Sequence, residues 1–448
     1  MNGINTGKPP SAASPPDYSR QQFLRCFRPL HILSSTFALW PFGGWSSRFS
    51  RCSTLYVLAV VTAYSAFHLY INYTDAYSVG TGEDGGKPGP DSTPTVDRQQ
   101  QVEANFVSIV IDVYNRYSGL ILFWLLHAVA LANHRSLTAI VLSVLLLDEQ
   151  IADRLSVVPN HGQWCRFICL HMTFVFLCIG FAEWYNCIMY MSDFIPASEY
   201  CIFECFITML TSSTVELQYV AFVQLIKNRL QLINDLLAHY ERFRPADHLQ
   251  PTACERHIRA KIINDIKNLY THLHLLSLNI NKAYGAQLIF ILMTLFVTLT
   301  TLLYYCTMKL FRQVFMLWLG QWVTPAELLP TFWEVLSTLS WAFISTFRIL
   351  RICNVCNSAK NEAQKIGSLI HGLGWKTNCP DTKSMVRLLS LQLHQQRIEF
   401  TASGLFTIDH GLMFNIVGSL ATYLLILIQF DIAQNGAKWK TELRAPLV

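Results

Sequence analysis

The chain has 448 residues, 52% of them hydrophobic and only 14% charged. A soluble domain of average composition is about 25% charged, so a cytosolic enzyme is excluded, as is a disordered chain, which needs low hydrophobicity and high net charge. A net charge of +5 gives a nucleic-acid partner no support, and 13 scattered cysteines make no disulfide framework, which leaves an integral membrane protein.

The first 20 residues are polar and rich in Pro, Ser and Gly, with no apolar run of the kind a signal peptide carries. Asn2 removes the myristoylation pattern. Phe23, Leu24, Phe27, Leu30, His31 and Ser34 then recur at helical spacing with Arg20, Arg25 and Arg28 between them. This predicts an interfacial amphipathic helix ending at Trp40-Pro41, inside a cytoplasmic segment 1–52.

A membrane-crossing helix needs roughly 20 apolar residues. Residues 53–71, 106–132, 164–190, 200–226, 284–306, 331–350 and 411–430 qualify, so the expected fold is an all-α integral membrane protein with seven transmembrane helices. Spans one to four occupy 53–226 with an external loop at 72–105; a cytoplasmic helical linker fills 227–283; spans five and six occupy 284–350; a second cytoplasmic segment fills 351–410; the last span, 411–430, precedes a tail at 431–448. Orientation follows from the placement of Lys and Arg. With the N-terminus inside, only Lys87, Arg98, Arg116, Lys309, Arg312, Lys438, Lys440 and Arg444 of the 34 basic residues lie outside, so the C-terminal tail is expected to be extracellular. Asn72-Tyr73-Thr74 is a glycosylation sequon in the first external loop and agrees. This topology is the reverse of a G-protein-coupled receptor, and the short external tail offers no G-protein surface.

On the cytoplasmic side Ile258, Ile262, Ile266, Leu269, Leu273, Leu276 and Ile280 form one apolar stripe. A helix carrying it from Glu255 to Tyr284 would be about 45 Å long and would project below the bilayer into the fifth span. Residues 227–240 extend the fourth span, and 384–400, with Val386, Leu389, Leu393 and Phe400, make a third amphipathic segment. These helices form either a packed bundle within one subunit or an oligomerisation hub. The external linker 306–330 places Phe311, Phe315, Trp318 and Trp322 on one face and predicts an interfacial helix.

The last span carries a distinct line: Asn415, Ser419, Thr422, Ile426 and Gln429, with Gly418 widening the same face. Polar groups in hydrocarbon need partners or water. The line is either a helix–helix seam, since small residues promote close packing, or the wall of an aqueous path with Ile426 or Phe430 as a hydrophobic constriction. The second reading requires several subunits around an axis.

Weaker signals remain. Cys353 and Cys356 form a lone CxxC pair, better read as two packed thiols than as a metal site. Cys187 and Cys201 flank a short external loop and could pair. His127 and His171 lack a neighbouring ligand set. No nucleotide loop, metalloprotease helix or nucleophile elbow is present, so no catalytic residue, cofactor or metal is expected.

The run Thr422-Tyr423-Leu424-Leu425-Ile426-Leu427-Ile428-Gln429-Phe430 matches Thr-Tyr, five apolar residues, then Gln-Phe, and resembles the insect gustatory receptor family. Phe400 through Phe406, Arg28-Pro29-Leu30 and Trp40-Pro41-Phe42 are similar to that family as well. The resemblance implies a homo- or hetero-tetrameric, ligand-gated, non-selective cation channel in the plasma membrane of chemosensory neurons, needing no G protein. It implies that the last helix lines the pore at Thr422, Ile426, Gln429 and Phe430, and that the amphipathic helices form a cytoplasmic anchor. It also implies a tastant pocket in the outer half of each subunit. By depth the candidates there are Asp112, Tyr114, Glu183, Trp184, Glu204, Tyr304, Trp333, Glu334 and Trp341, carboxylates beside aromatic rings that suit polyols or cationic alkaloids. Glu216 lies deeper and reads as structural. The stretch Leu388–Phe406 resembles the bitter and other non-sugar branches more than the sugar receptors. A secondary transporter is the alternative of a different class, although seven spans do not divide into equal repeats.

Overall fold

The computed structural model describes residues 15–40, 51–82, 106–190, 206–242, 253–318, 325–375 and 380–442. Nine helices and one small hairpin make up the described residues: α1 Pro15–Thr36, α2 Arg51–Gly82, α3 Phe106–Leu155, α4 Gly162–Tyr190, α5 Ile207–Arg242, α6 Ala253–Trp318, α7 Pro325–Trp375, α8 Pro380–Gln395, β1 Thr401–Ala402, β2 Phe406–Thr407 and α9 His410–Glu442.

Six of these helices are long and apolar enough to cross a membrane: α2, α3, α4, α6, α7 and α9. The expected fourth span falls on α5, which is not among them; residues 200–205 of that span lie outside the described residues. The reason is visible in its burial. Every side chain from Leu210 to Val223 is buried, including Thr211, Ser212, Ser213, Thr214, Glu216 and Gln218. A helix wrapped by protein on all sides faces no lipid, so its polar positions need hydrogen-bond partners rather than apolar character. Helix α5 packs against α4, α6 and α7, and α3 packs along α6.

Three helices run far beyond a bilayer's thickness. Helix α6 is one rod of 66 residues, about 99 Å long at 1.5 Å per residue. The stripe from Ile266 to Ile280 is the buried face of its first half. Helices α3, with 50 residues, and α7, with 51, also continue past their expected spans at 132 and 350. The extensions of α6 and α7 pack with α8 at one end of the bundle, the α8 end.

Helix α1 uses its amphipathic face differently from the expected interfacial placement. Phe23, Phe27 and Leu30 are fully buried. The Phe23 ring stacks on Trp164 at 5.3 Å, and Phe27 lies 5.7 Å from Phe222. Its apolar side meets protein rather than lipid. The Trp164 indole N–H is satisfied by the Ala221 carbonyl at 2.7 Å, as a buried donor must be. Helix α2 likewise runs on through the sequon to Gly82, so Asn72 sits within a helix, its amide donating to the His68 carbonyl at 2.9 Å.

The hairpin locks the start of α9 onto α6. Thr401 pairs with Thr407 and Ala402 with Phe406. The turn holds Ser403 and Gly404 at φ 49° and 76°, the left-handed region that suits glycine at the second position. Ser403 lies so close to Gly285 that a Cβ there would fall 2.5 Å from the Ser403 nitrogen.

Candidate functional site

Helix α9 touches the rest of the subunit along one side only. Ile416 and Leu420 pack on Phe296, Leu299, Leu302, Leu303 and Ala342 of α6 and α7, and the Tyr423 ring meets Phe296 edge-on at 5.9 Å. The predicted line points elsewhere. Asn415, Thr422, Ile426, Gln429 and Phe430 are exposed and Ser419 is half-buried. Nothing lies within 4 Å of a Cβ placed on Gly418. The Thr422 hydroxyl is satisfied within its own helix, donating to the Gly418 carbonyl at 3.0 Å. Among the described residues of one subunit, therefore, no neighbouring helix closes a seam over this line.

The root of α9 is fixed by Asp409. Its Oδ1 accepts the Gly411 N–H at 2.9 Å, an N-cap, and its Oδ2 receives Lys360 Nζ of α7 at 3.1 Å. Burial alone would raise this carboxyl. The hydrogen bond and charge of Lys360, with the backbone N–H donors, hold it below the usual carboxylate range.

The ligand candidates within the described residues fall into groups. Glu183 of α4 is buried, and its Oε1 has no hydrogen-bond partner among the described residues. Two residues on, the Tyr185 hydroxyl is also unpartnered, while its ring lies 6.4 Å from that of Trp333. Trp341 packs with Val175, Ile179, Ala182, Leu210 and Ile344, an apolar cluster between α4, α5 and α7. A buried acid without a partner is equipped to meet a cation or a hydrogen-bond donor. Trp184 points outward.

Glu334 is engaged differently from expectation. Lys309 Nζ lies 2.8 Å from its Oε2, and the Tyr305 hydroxyl donates to the same oxygen at 3.3 Å. Its charge is already matched across α6 and α7, and the Lys309 ammonium also sits over the Tyr305 ring at 5.3 Å. The Tyr114 hydroxyl is likewise occupied, donating to the Thr294 carbonyl at 3.3 Å. Tyr304 hydrogen-bonds Asp431 at the far end of α9. Asp112 lies in α3, but its side chain is outside the described residues, as are Glu204 and the Cys187 and Cys201 side chains.

Of two buried charge clusters, sequence reasoning named Glu216 as structural without its partners, and did not name Asp148. Asp148 of α3 receives Arg229 of α5 through two bonds, at 2.7 and 3.0 Å, with His161 Nε2 3.2 Å away. Glu216 of α5 receives both Arg348 and Arg351 of α7. Asp148 lies 81 residues from Arg229, and Glu216 lies 132 and 135 residues from its two arginines, so no local spacing could reveal these pairs. The Cys353 and Cys356 thiols are buried and free, and the Tyr219 hydroxyl lies 3.2 Å from Cys356 Sγ. Among the described residues no group of acidic, His or Cys side chains could hold a metal ion.

Residues 95–434 match the family model described as 7tm Chemosensory receptor. The chain belongs to this chemosensory receptor family. It is a multi-pass membrane receptor and not an enzyme. Among relatives, it is 25% identical to gustatory receptor 23a of Drosophila melanogaster over 179 residues, covering 40% of this chain and 44% of that protein. It is 33% identical over 76 residues to the gustatory receptor for bitter taste 66a of the same species, covering 17% and 14%. Such matches span between 14% and 44% of the relatives' own lengths. The receptor's fold is similar to that of the insect olfactory receptor OR5 from Machilis hrabei, with a TM-score of 0.57 at 11% identity over 93% of this chain and all of that one. The same olfactory receptor in complex with eugenol gives a TM-score of 0.58 at 11% identity, over 92% and 99%.

Proposed function

We propose that this receptor is a gustatory receptor of the insect type, a ligand-gated non-selective cation channel of the plasma membrane of chemosensory neurons. Four subunits, identical or mixed, surround a pore lined by α9, with seven crossings per subunit, the N-terminus and the α8 end inside, and the α9 terminus outside. The observation that carries the reading is the polar line of α9: Asn415, Thr422 and Gln429 are exposed on a helix apolar enough to cross a membrane. Such a line is costly in lipid and fits a water-lined path. The Ile426 and Phe430 side chains, exposed beside it, are placed to close the path by dewetting.

The ligand is a small external molecule of the bitter or other non-sugar class. The OR5 structure with eugenol and the bitter-taste receptor among the relatives support this choice. Glu183, Tyr185, Trp333 and Trp341 form the recognition surface, and Glu183 favours ligands with a protonated amine or a strong hydrogen-bond donor. No observation favours the transporter alternative.

Whole-cell recording with a tastant panel tests both parts. Gln429→Ala is expected to change ion selectivity or gating for every agonist. Glu183→Gln is expected to lower the potency of cationic agonists about tenfold, one lost charge-assisted contact, with selectivity unchanged. A pure potency effect from Gln429→Ala overturns the pore assignment.

A further inference from the structure

Most buried charges of the described bundle close on themselves. Asp148 meets Arg229, Asp265 meets Arg154, and Glu362 meets Lys365. The cluster at Glu216 does not. Its carboxylate is wholly buried, and two guanidiniums share it. Arg348 takes both oxygens through Nε and Nη2, and Nη2 also reaches the Ser212 hydroxyl at 2.8 Å. Arg351 touches Oε2 through Nη2 alone, at 3.1 Å. Its Nε and Nη1 are buried without an acceptor among the described residues. The nearby titratable group on α4 is His171, which supplies no negative charge. Among the described residues, two fixed cations therefore face one anion.

A guanidinium cannot shed its proton to escape burial, and an unpaired buried charge is expensive. Water would fill the donors but leave the charge. A phospholipid headgroup cannot reach the site, because the side chains of Glu216, Arg348 and Arg351 are 0%, 3% and 3% exposed. A single surplus positive charge in a closed place calls for a small monovalent anion. We propose that the α4–α5–α7 core of this receptor binds one such anion, chloride in a cell, on Arg351, and that it completes the charge balance joining α5 to α7. The anion site does not depend on channel function and is read out without it.

The test uses the full-length protein in lipid nanodiscs. Chloride replaces gluconate at constant ionic strength and pH while thermal unfolding is followed. Anything that binds the folded state alone raises the melting temperature by mass action. The wild type is expected to show a saturable chloride-dependent rise, and Arg351→Gln to lose it. Glu216→Gln, which leaves two surplus guanidiniums, is expected to reach the half-maximal rise at lower chloride. Chloride-35 NMR on the wild type needs no variant: excess line broadening over empty nanodiscs, displaced by bromide, is expected. A wild-type melting temperature indifferent to chloride, the same response in Arg351→Gln, or no excess broadening would overturn the proposal and leave the donors to water.

Discussion

At Asp148 three side chains from three parts of the chain meet at one buried point. Arg229 gives it a bidentate contact, and His161 fills the remaining approach. Removing one partner of a buried pair strands the other, typically at a cost of about 3–5 kcal/mol. Arg229→Met should therefore lower the melting temperature of the purified receptor sharply and reduce surface expression. The double change Asp148→Asn with Arg229→Met should recover part of the loss, because no net charge remains to be stranded. A double no more stable than the single would show that the pair is not coupled. Sequence reading reached some residues at this scale and missed others for a definite reason. Glu183 was legible because an acid at that depth in an apolar run needs explaining. Glu334 was equally visible, yet its partner Lys309 sits on another helix, and only the fold discloses that the acid is already matched.

Among the elements, the apolar runs announced the long helices, and the stripe from Ile266 to Ile280 announced the buried face of the first half of α6. What a pattern of apolar faces cannot say is what covers them. Helix α1 reads as a lipid-surface helix until Trp164 and Phe222 are seen against Phe23 and Phe27. Residues 200–226 read as a full span, yet α5 is not among the helices apolar enough to cross a membrane, because its polar residues are enclosed by protein. The hairpin between α8 and α9 was visible only as a motif, and its close approach to Gly285 was not. Gly285→Ala forces a methyl onto the Ser403 backbone, and overpacking of this kind costs about 1–3 kcal/mol. The expected result is agonist-evoked current reduced more than surface expression, because the hairpin positions the root of α9. Wild-type current per surface receptor would refute that coupling.

The same root has an acid dependence. Asp409 is lowered by Lys360 and the cap donors, so its contribution is complete above the ordinary carboxylate range and is lost as pH falls through its lowered folded value. Melting temperature should thus drop on the acid side, below about pH 4, and Asp409→Asn should flatten that part of the curve while leaving the cap partly intact. An unchanged acid limb in Asp409→Asn would assign the drop to other carboxylates.

For the whole molecule, the question is what covers α9. Its exposed surface has two parts: the polar line, and beside it Phe414, Val417 and Leu425, which are 78%, 63% and 59% exposed. Lipid would accept the second part readily, but it cannot satisfy the first. If α9 surrounds an axis with its copies, the polar line faces water and the apolar part meets the neighbouring subunit. The two coverings separate experimentally. Trimming exposed side chains leaves a lone subunit's core untouched, so Phe414→Ala with Val417→Ala should barely move the unfolding temperature of the dissociated subunit. If the apolar part lies between subunits, the pair should shift the receptor from the proposed tetramer to smaller species in native mass spectrometry, and lose current with it. If lipid covers it, the mass distribution should stay tetrameric and the current intact, and the packing of α9 around an axis would have to be redrawn with a different face turned to the neighbour.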